Sequence, residues 1–329
     1  MSAPGGPRVV ALGGGHGLAA SLRALRLVTD QLTAIVTVAD DGGSSGRLRN
    51  EIGALPPGDL RMALAALAAD DESAQTWARL LQHRFQSSGS LDQHAVGNVI
   101  IAGLEQLAGE PVAALDMVRD LVRATGRVLP LSIVPLDIVA DVVGLDPSDP
   151  GAVAEVRGQV AVATTPGNVV GVRLVPDNPP ACAEAVRAVE EADWIVFGPG
   201  SWFTSVLPHL LVPELAKALG ATPARRLVAL NLAPQAGETT GFSPETHLEV
   251  LSAHAPELNL DVVLADRSAV TEVARLRDAT AACGGRLALS DVASADGRPV
   301  HDPERLAAAY ASIMSISTTA HDEGVVEWQ

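Results

Sequence analysis

The sequence predicts an α/β fold, a doubly wound and mainly parallel β-sheet with a small antiparallel β insertion. Three observations predict it. Short apolar, β-branched runs alternate with segments whose apolar residues recur at helical spacing. The runs Thr33–Val38 and Trp194–Phe197 are nearly continuous in apolar residues, as strands covered on both faces must be. Between about residues 126 and 176 the alternation stops, and β-rich runs are separated by turn residues.

Taken in order, Arg8–Leu12 is the first predicted strand; it ends in glycines and leads into a helical pattern over Leu18–Leu27. The second strand, Thr33–Val38, opens onto a Gly/Ser-rich loop, Asp40–Gly46. Pro56-Pro57-Gly58-Asp59 then predicts a helix start with Asp59 as N-cap. Helices follow over Leu60–Ala69, Ala74–Phe85, Gln93–Ala108 and Val112–Arg123. The runs Val128–Val143, Val160–Thr164 and Val169–Val175 make up the β insertion, without helical pattern between them. Helix Cys182–Glu191 and strands Trp194–Phe197, Leu227–Asn231, Leu260–Leu264 and Arg286–Leu289 restore the alternation, and helix Pro303–Met314 follows them. No repeat or low-complexity linker interrupts the chain. Residues 1–329 therefore read as a single domain, with 316–329 as a loose tail.

Composition narrows the function. The chain carries 23 Lys+Arg against 39 Asp+Glu, a formal net charge of −16. That balance disfavours nucleic acid or an anionic membrane as a partner, since both demand a basic face. Lys217 is the only lysine, so no lysine-bearing phosphate loop exists. A bound anion must be held by backbone N–H groups, arginine or a metal. Aromatic residues make up 3%, which predicts an aliphatic core and few stacking platforms. Cys182 and Cys283 form no C-x-x-C pair, so zinc and redox motifs are absent. No apolar signal stretch opens the sequence, and Leu131–Leu145 is broken by Pro135, Asp137 and Asp141. The expectation is a soluble, cytoplasmic protein.

The unusual residues all follow predicted strands. Gly13-Gly14-Gly15-His16-Gly17, read from Gly15, fits G-x-G-x-x-A ending at Ala20, and Asp40 ends the second strand about twenty residues on. In the dinucleotide fingerprint such glycines admit a pyrophosphate to a helix N-terminus while the acid holds ribose hydroxyls. A tight structural turn needs the same glycines. Asp40-Asp41-Gly42-Gly43-Ser44-Ser45-Gly46-Arg47 suits hydrated magnesium on Asp40 and Asp41, or ribose and phosphate contacts aided by Arg47; a solvated surface loop is the alternative. Asp59 and Arg61 face a ligand if their helix starts at the strand-end rim, and otherwise Asp59 only caps it. His94 and Asn98 are four apart on a predicted helix, with Gly97 between them as the mark of close approach by a ligand or another backbone. A buried, hydrogen-bonded histidine is the plainer reading of His94. Gly198-Pro199-Gly200-Ser201, with Thr204 and Ser205, forms a second strand–glycine–helix anion site. Asn231 ends another strand, with Gln235, Gly237, Glu238 and Thr239 beyond it. Together these loops predict a nucleotide or other phosphorylated ligand, with magnesium.

Six ordered segments carry a family resemblance: GGGHGLAASLRAL, TAIVTVADDGGSSGRLR, PPGDLRMALAALA, HAVGN, GPGSWFTSVLPHLLVP and NLAPQAGETTGF. They resemble the gluconeogenesis factor (YvcK) family, within a wider group that includes CofD, the phospholactyl transferase of deazaflavin cofactor synthesis. The resemblance implies a Rossmann-like fold with a nucleotide site. It further implies a cytoplasmic regulator that binds UDP-sugars, supports growth on gluconeogenic carbon sources and affects cell shape and wall synthesis. Wall-synthesis or regulatory proteins and a second copy of the chain are the partners it suggests. CofD-like relatives instead bind a guanine nucleotide with magnesium and transfer a phospholactyl group. His16, Leu18 and Ala19 stand where that branch continues Thr-Pro-Lys, which favours the regulator. His16 also replaces a usual threonine, Trp202-Phe203 a common Leu-Tyr, and Val300 an arginine that relatives tie to the sugar nucleotide. An NAD-dependent oxidoreductase is the remaining alternative, resting on the glycine and Asp40 spacing alone.

Overall fold

The computed structural model describes residues 6–235, 238–239 and 241–319. In chain order, β1 (Val9–Gly13), α1 (Gly15–Leu25) and β2 (Leu32–Val36) lead into helices α2 (Gly43–Ile52), α3 (Pro57–Leu67), α4 (Glu72–Gln82), α5 (Val96–Ala108) and α6 (Pro111–Val122). Strand β3 (Arg127–Pro130) is followed by β4 (Asp137–Val143), β5 (Ala154–Arg157), α7 (Gln159–Ala163) and β6 (Asn168–Val175). Next come α8 (Ala183–Glu191), β7 (Trp194–Phe197), a π-helical turn over Trp202–Val206, α9 (Pro208–Leu211) and α10 (Pro213–Ala221). The chain continues through β8 (Arg225–Ala229), α11 (Pro244–His254), β9 (Val262–Asp266), α12 (Val273–Ala282), β10 (Arg286–Ser290) and α13 (Pro303–Thr319).

Seven strands form one sheet in the order β10-β9-β8-β7-β1-β2-β3, and every neighbouring pair is parallel. Chain order runs outward in one direction from β1 and in the other from β7. The crevice beyond the carboxyl ends of β1 and β7 is therefore the topological switch point, where open α/β sheets bind ligands. Strands β1 and β7 are buried throughout, which explains their unbroken apolar runs. Core side chains are mostly aliphatic, with Phe197, Trp202, Phe203 and Tyr310 as wholly buried aromatics. Each fully buried Leu or Phe contributes about 1.5–3 kcal/mol. The Tyr310 hydroxyl meets Ser21 at 2.9 Å, fastening α13 to α1.

Several expectations are corrected. Strand β3 pairs with β2 in the main sheet, so the antiparallel insertion is only β5-β4-β6. A turn around Ser132 and Pro135 had been hidden inside one apolar run. Val160–Thr164 is not a strand; residues 159–163 form helix α7. The loop expected to last to Gly46 becomes helical at Gly43, with the Gly46 N–H donating to the Gly42 carbonyl at 2.9 Å. Pro57 at the first helical position moves the start of α3 forward, so Asp59 lies in the first turn rather than at the N-cap. The expected tail from 316 begins as part of α13, which runs to Thr319; residues 320–329 lie outside the described residues. Among the described residues no helix is long and apolar enough to cross a membrane.

Candidate functional site

Two glycine loops meet at the switch point. Gly14 is the N-cap of α1 and offers no side chain to the first turn. A Cβ on Gly14 would lie 2.4 Å from Asp59 Oδ2 and 2.7 Å from Thr37 Cγ2, so only glycine lets these groups gather behind the loop. Gly15 has φ +59, in the left-handed region. A Cβ on Gly17 would stand 2.3 Å from the Pro199 carbonyl oxygen and 2.5 Å from Gly200 Cα. The loops after β1 and β7 thus touch backbone to backbone. Asn231, just beyond β8, locks the second loop by accepting from Gly200 N–H at 2.9 Å and donating to its carbonyl at 2.8 Å.

A cavity of about 360 Å³ opens over these loops. Gly14, Gly15, His16 and Gly17 form one wall, while Gly200, Ser201, Ser205, Asn231 and Gln235 form another. Asp59, Gln159 of α7, and Pro299, Val300 and His301 also line it. No arginine or lysine is among these lining residues. Three oxygens around the cavity are buried without a hydrogen-bond partner: Asp59 Oδ2, Gln159 Oε1 and Gln235 Oε1. Thr37 Oγ1, whose side chain lies beside Gly14, is a fourth orphaned oxygen. Burial raises the Asp59 carboxyl to about 7, helped by the neighbouring charge of Asp40 and opposed by the Gly15 N–H and by Arg61. Arg61 is itself buried, and burial lowers its guanidinium to about 10, with the charge of Arg84 next. Burial likewise lowers the His301 imidazole.

Side chains of the Asp40–Arg47 segment are engaged with other parts of the protein. The Ser44 hydroxyl meets His94 Nδ1 at 3.0 Å and accepts from Ala95 N–H and Asn98 Nδ2. Ser45 accepts from Gly58 N–H at 3.0 Å and from Asn98 at 3.3 Å. Arg47 donates to the carbonyls of Ser90 and Asp92. These bonds join the starts of α2, α3 and α5, and none of Ser44, Ser45, Arg47, His94 and Asn98 lines the cavity. His94 precedes α5 rather than lying within it, and burial lowers its imidazole. Gly97 is explained by protein atoms: a Cβ there would lie 2.8 Å from the Leu81 carbonyl and 2.9 Å from the aliphatic stem of Arg61.

The acidic pair also separates. Asp40 Oδ1 accepts from Gly42 N–H at 2.9 Å, and its other oxygen is 2.5 Å from where a Gly58 Cβ would be. Asp41 turns the other way and accepts from Val160 N–H at 3.0 Å. Asp40 and Asp41 are thus each engaged by a different backbone N–H. Among the described residues no group of three or more His, Cys, Asp or Glu side chains is arranged to hold a metal. The second anion site is also partly filled from within. The Glu238 carboxylate accepts from Phe203 N–H at 2.7 Å and Thr204 N–H at 2.8 Å, and from the Ser201 hydroxyl. Burial raises this carboxyl. Ser201 and Ser205 still line the cavity, whereas the Phe203 and Thr204 amides are committed to Glu238. Gly237 lies outside the described residues.

Thr37, Gln159 and the Pro299–His301 segment are the site elements that loop motifs did not select. Only Val300 carried a signal, through the resemblance.

The fold and cavity define an α/β protein of Rossmann-like topology, with a cavity between two glycine loops at the switch point. The family described as 2-phospho-L-lactate transferase CofD matches residues 9–295. A Mycobacterium tuberculosis protein whose name includes the words gluconeogenesis factor is 51% identical over 324 residues, covering 98% of this chain and 94% of its own. The gluconeogenesis factor of Listeria monocytogenes is 38% identical, over 80% of this chain and 79% of its own. The solved structure of BH3568, a UPF0052-family protein from Bacillus halodurans, superposes with a TM-score of 0.81 at 30% identity and covers 93% of this chain and 99% of that one. The chain belongs to the gluconeogenesis factor family, within the CofD/YvcK-like superfamily.

Proposed function

We propose that the protein is a nucleotide-sugar-binding regulator, without turnover, that supports growth on gluconeogenic carbon sources and cell-wall synthesis from the cytoplasm. The observation that carries the binding is the cavity at the switch point. Its walls are glycine-loop backbone suited to a diphosphate, while its orphaned oxygens require hydrogen-bond donors such as a base or sugar supplies. The family's gluconeogenesis naming supports the physiological half of the reading. In a thermal-shift panel, UDP-N-acetylglucosamine raises Tm, and Gly200→Trp, which puts a bulky side chain on a cavity-lining residue at φ +148, abolishes the shift. A shift with GDP but none with millimolar UDP-sugars overturns the choice of ligand.

A second reading, a magnesium-dependent transferase like CofD, is favoured by one feature. Asp59 is a buried carboxyl in the cavity, raised to about 7 and beside Asp40. A divalent cation suits Asp40 with the unpartnered Asp59 Oδ2 better than it suits Asp40 with Asp41. When bound, such an ion would offset ligand phosphate charge in a cavity whose lining has no arginine or lysine. Loss of a magnesium-dependent GDP or UDP thermal shift in Asp40→Asn tests that assignment. The oxidoreductase reading rests on the glycine and Asp40 spacing alone, and a shift or quenching of NADH fluorescence on adding the protein tests it.

A further inference from the structure

Gln159 comes from the insertion, outside the two glycine loops of the main sheet, at the first residue of α7. Five residues are too few to hold a helix on their own. Three contacts hold this one. The Gly158 N–H donates to the Ile138 carbonyl at 2.8 Å, tying the segment to β4, and Val162 is wholly buried. The third is Asp41, whose Oδ1 accepts from Val160 N–H at 3.0 Å. Its Oδ2 lies only 2.2 Å from where a Cβ on Gly158 would be, and Gly158 has φ +102, so glycine is required there twice over. Asp41 thereby fixes where α7 begins and so where Gln159 stands.

The Gln159 side chain lines the cavity, and its Oε1 is buried without a partner. An unpaired buried amide oxygen is costly, and a ligand N–H or O–H would relieve it. An ionised diphosphate bridge has no proton to give, so the donor must belong to the base or sugar at either end. Building on the nucleotide reading above, we infer that Gln159 is a specificity-determining contact that accepts a hydrogen bond from the base or sugar of the ligand, and that Asp41 is its positioning residue.

Calorimetric titration of the full chain with UDP-N-acetylglucosamine, UDP and GDP, in magnesium, tests this. Gln159→Met keeps the length of the side chain and removes the amide, and is expected to weaken binding about tenfold. A loss shared by UDP and UDP-N-acetylglucosamine assigns the contact to the nucleoside end; a loss confined to the latter assigns it to the sugar. Asp41→Ala is expected to match that loss, the double variant to be no weaker than either single one, and Asp41→Asn, which keeps an acceptor, to recover most of the affinity. Wild-type binding with Gln159→Met within twofold overturns the inference and leaves the nucleotide reading standing. Additive losses from Gln159→Met and Asp41→Ala overturn the positioning role. Failure of the wild type to bind any of the three nucleotides removes the nucleotide reading and this inference with it.

Discussion

The two ends of the sheet make opposite use of polar groups. At the amino ends of β1, β2 and β3 lies a broad depression of about 1000 Å³, far larger than the cavity at the carboxyl ends. Five arginines line it, and each has an acid: Arg8 with Asp193, Arg119 with Asp120, Arg123 with Asp71, Arg127 with Asp116, and Arg187 with Glu184. The smaller cavity contains glycine backbone and oxygens with no partner. Volume would choose the first as the ligand site; unmatched hydrogen bonds choose the second. A surface whose arginines are already paired asks little of an anionic ligand. A crevice with orphaned acceptors does.

The largest expected effect lies where the two glycine loops touch. Gly17→Ala places a Cβ against the Pro199 carbonyl, a backbone atom that cannot swing aside. The loops must part, so the nucleotide-dependent thermal shift should vanish and the apo protein should lose about 1–3 kcal/mol by denaturant unfolding, as overpacked sites do. Retention of a full ligand shift would show that the contact between loops does not build the site.

Asp59 gives the next effect, and it depends on pH. Its carboxyl titrates at about 7 in the folded protein against an ordinary value near 4 when unfolded. Between those limits the folded state holds a proton that the unfolded state has released, so this group's contribution to stability falls as pH rises from 4 to 7. Asp59→Asn removes that penalty. Its Tm relative to wild type should climb over that interval and then level off, with a total on the order of a few kcal/mol. A Tm difference that stays flat from pH 4 to 7 would mean that Asp59 is not held in the buried state described.

Ser44→Ala tests the paired segment beside the site. It leaves His94, Ala95 N–H and Asn98 without their shared oxygen, at a cost of about 1–3 kcal/mol, but the nucleotide shift should survive. Loss of the shift at unchanged Tm would return Ser44 to the ligand.

Much of this arrangement was legible in the sequence, for a physical reason. Parallel strands buried on both faces write continuous apolar runs, and the turns that follow β1 and β7 need glycine, so both strands and loops could be found locally. The Ser44–His94–Asn98 cluster was legible as a cluster, and its side chains are hydrogen-bonded to one another, in line with the plainer reading of His94. Spacing of four suggested one helix face, whereas His94 precedes α5 and meets Asn98 through Ser44, some fifty residues away in the chain. Of the two causes expected for Gly97, a ligand or another backbone, the second holds: the Leu81 carbonyl is the nearest atom, with the stem of Arg61 beside it. Thr37 and Gln159 had no signal at all. A threonine beyond a strand and a glutamine in an insertion become site residues only when separate elements fold over one crevice.

The smallest expected effect is at the amino-end depression, and its smallness is what tests the contrast. The Arg187–Glu184 pair is three residues apart on α8, 3.1 Å long, with Arg187 about two-thirds exposed (65%). Such a pair gains little over hydration, and its attraction is screened by salt, so Arg187→Ala should change stability by no more than about 0.5 kcal/mol. It should also leave the nucleotide thermal shift unchanged, since the residue lies at the opposite end of the sheet from the glycine loops. Removing the arginine leaves Glu184 near the solvent rather than stranded in the core, so no large desolvation penalty is waiting to appear. If this substitution instead abolished the nucleotide shift while Gly17→Ala spared it, the larger depression would be the ligand site, and satisfied ion pairs would have to open to admit an anion.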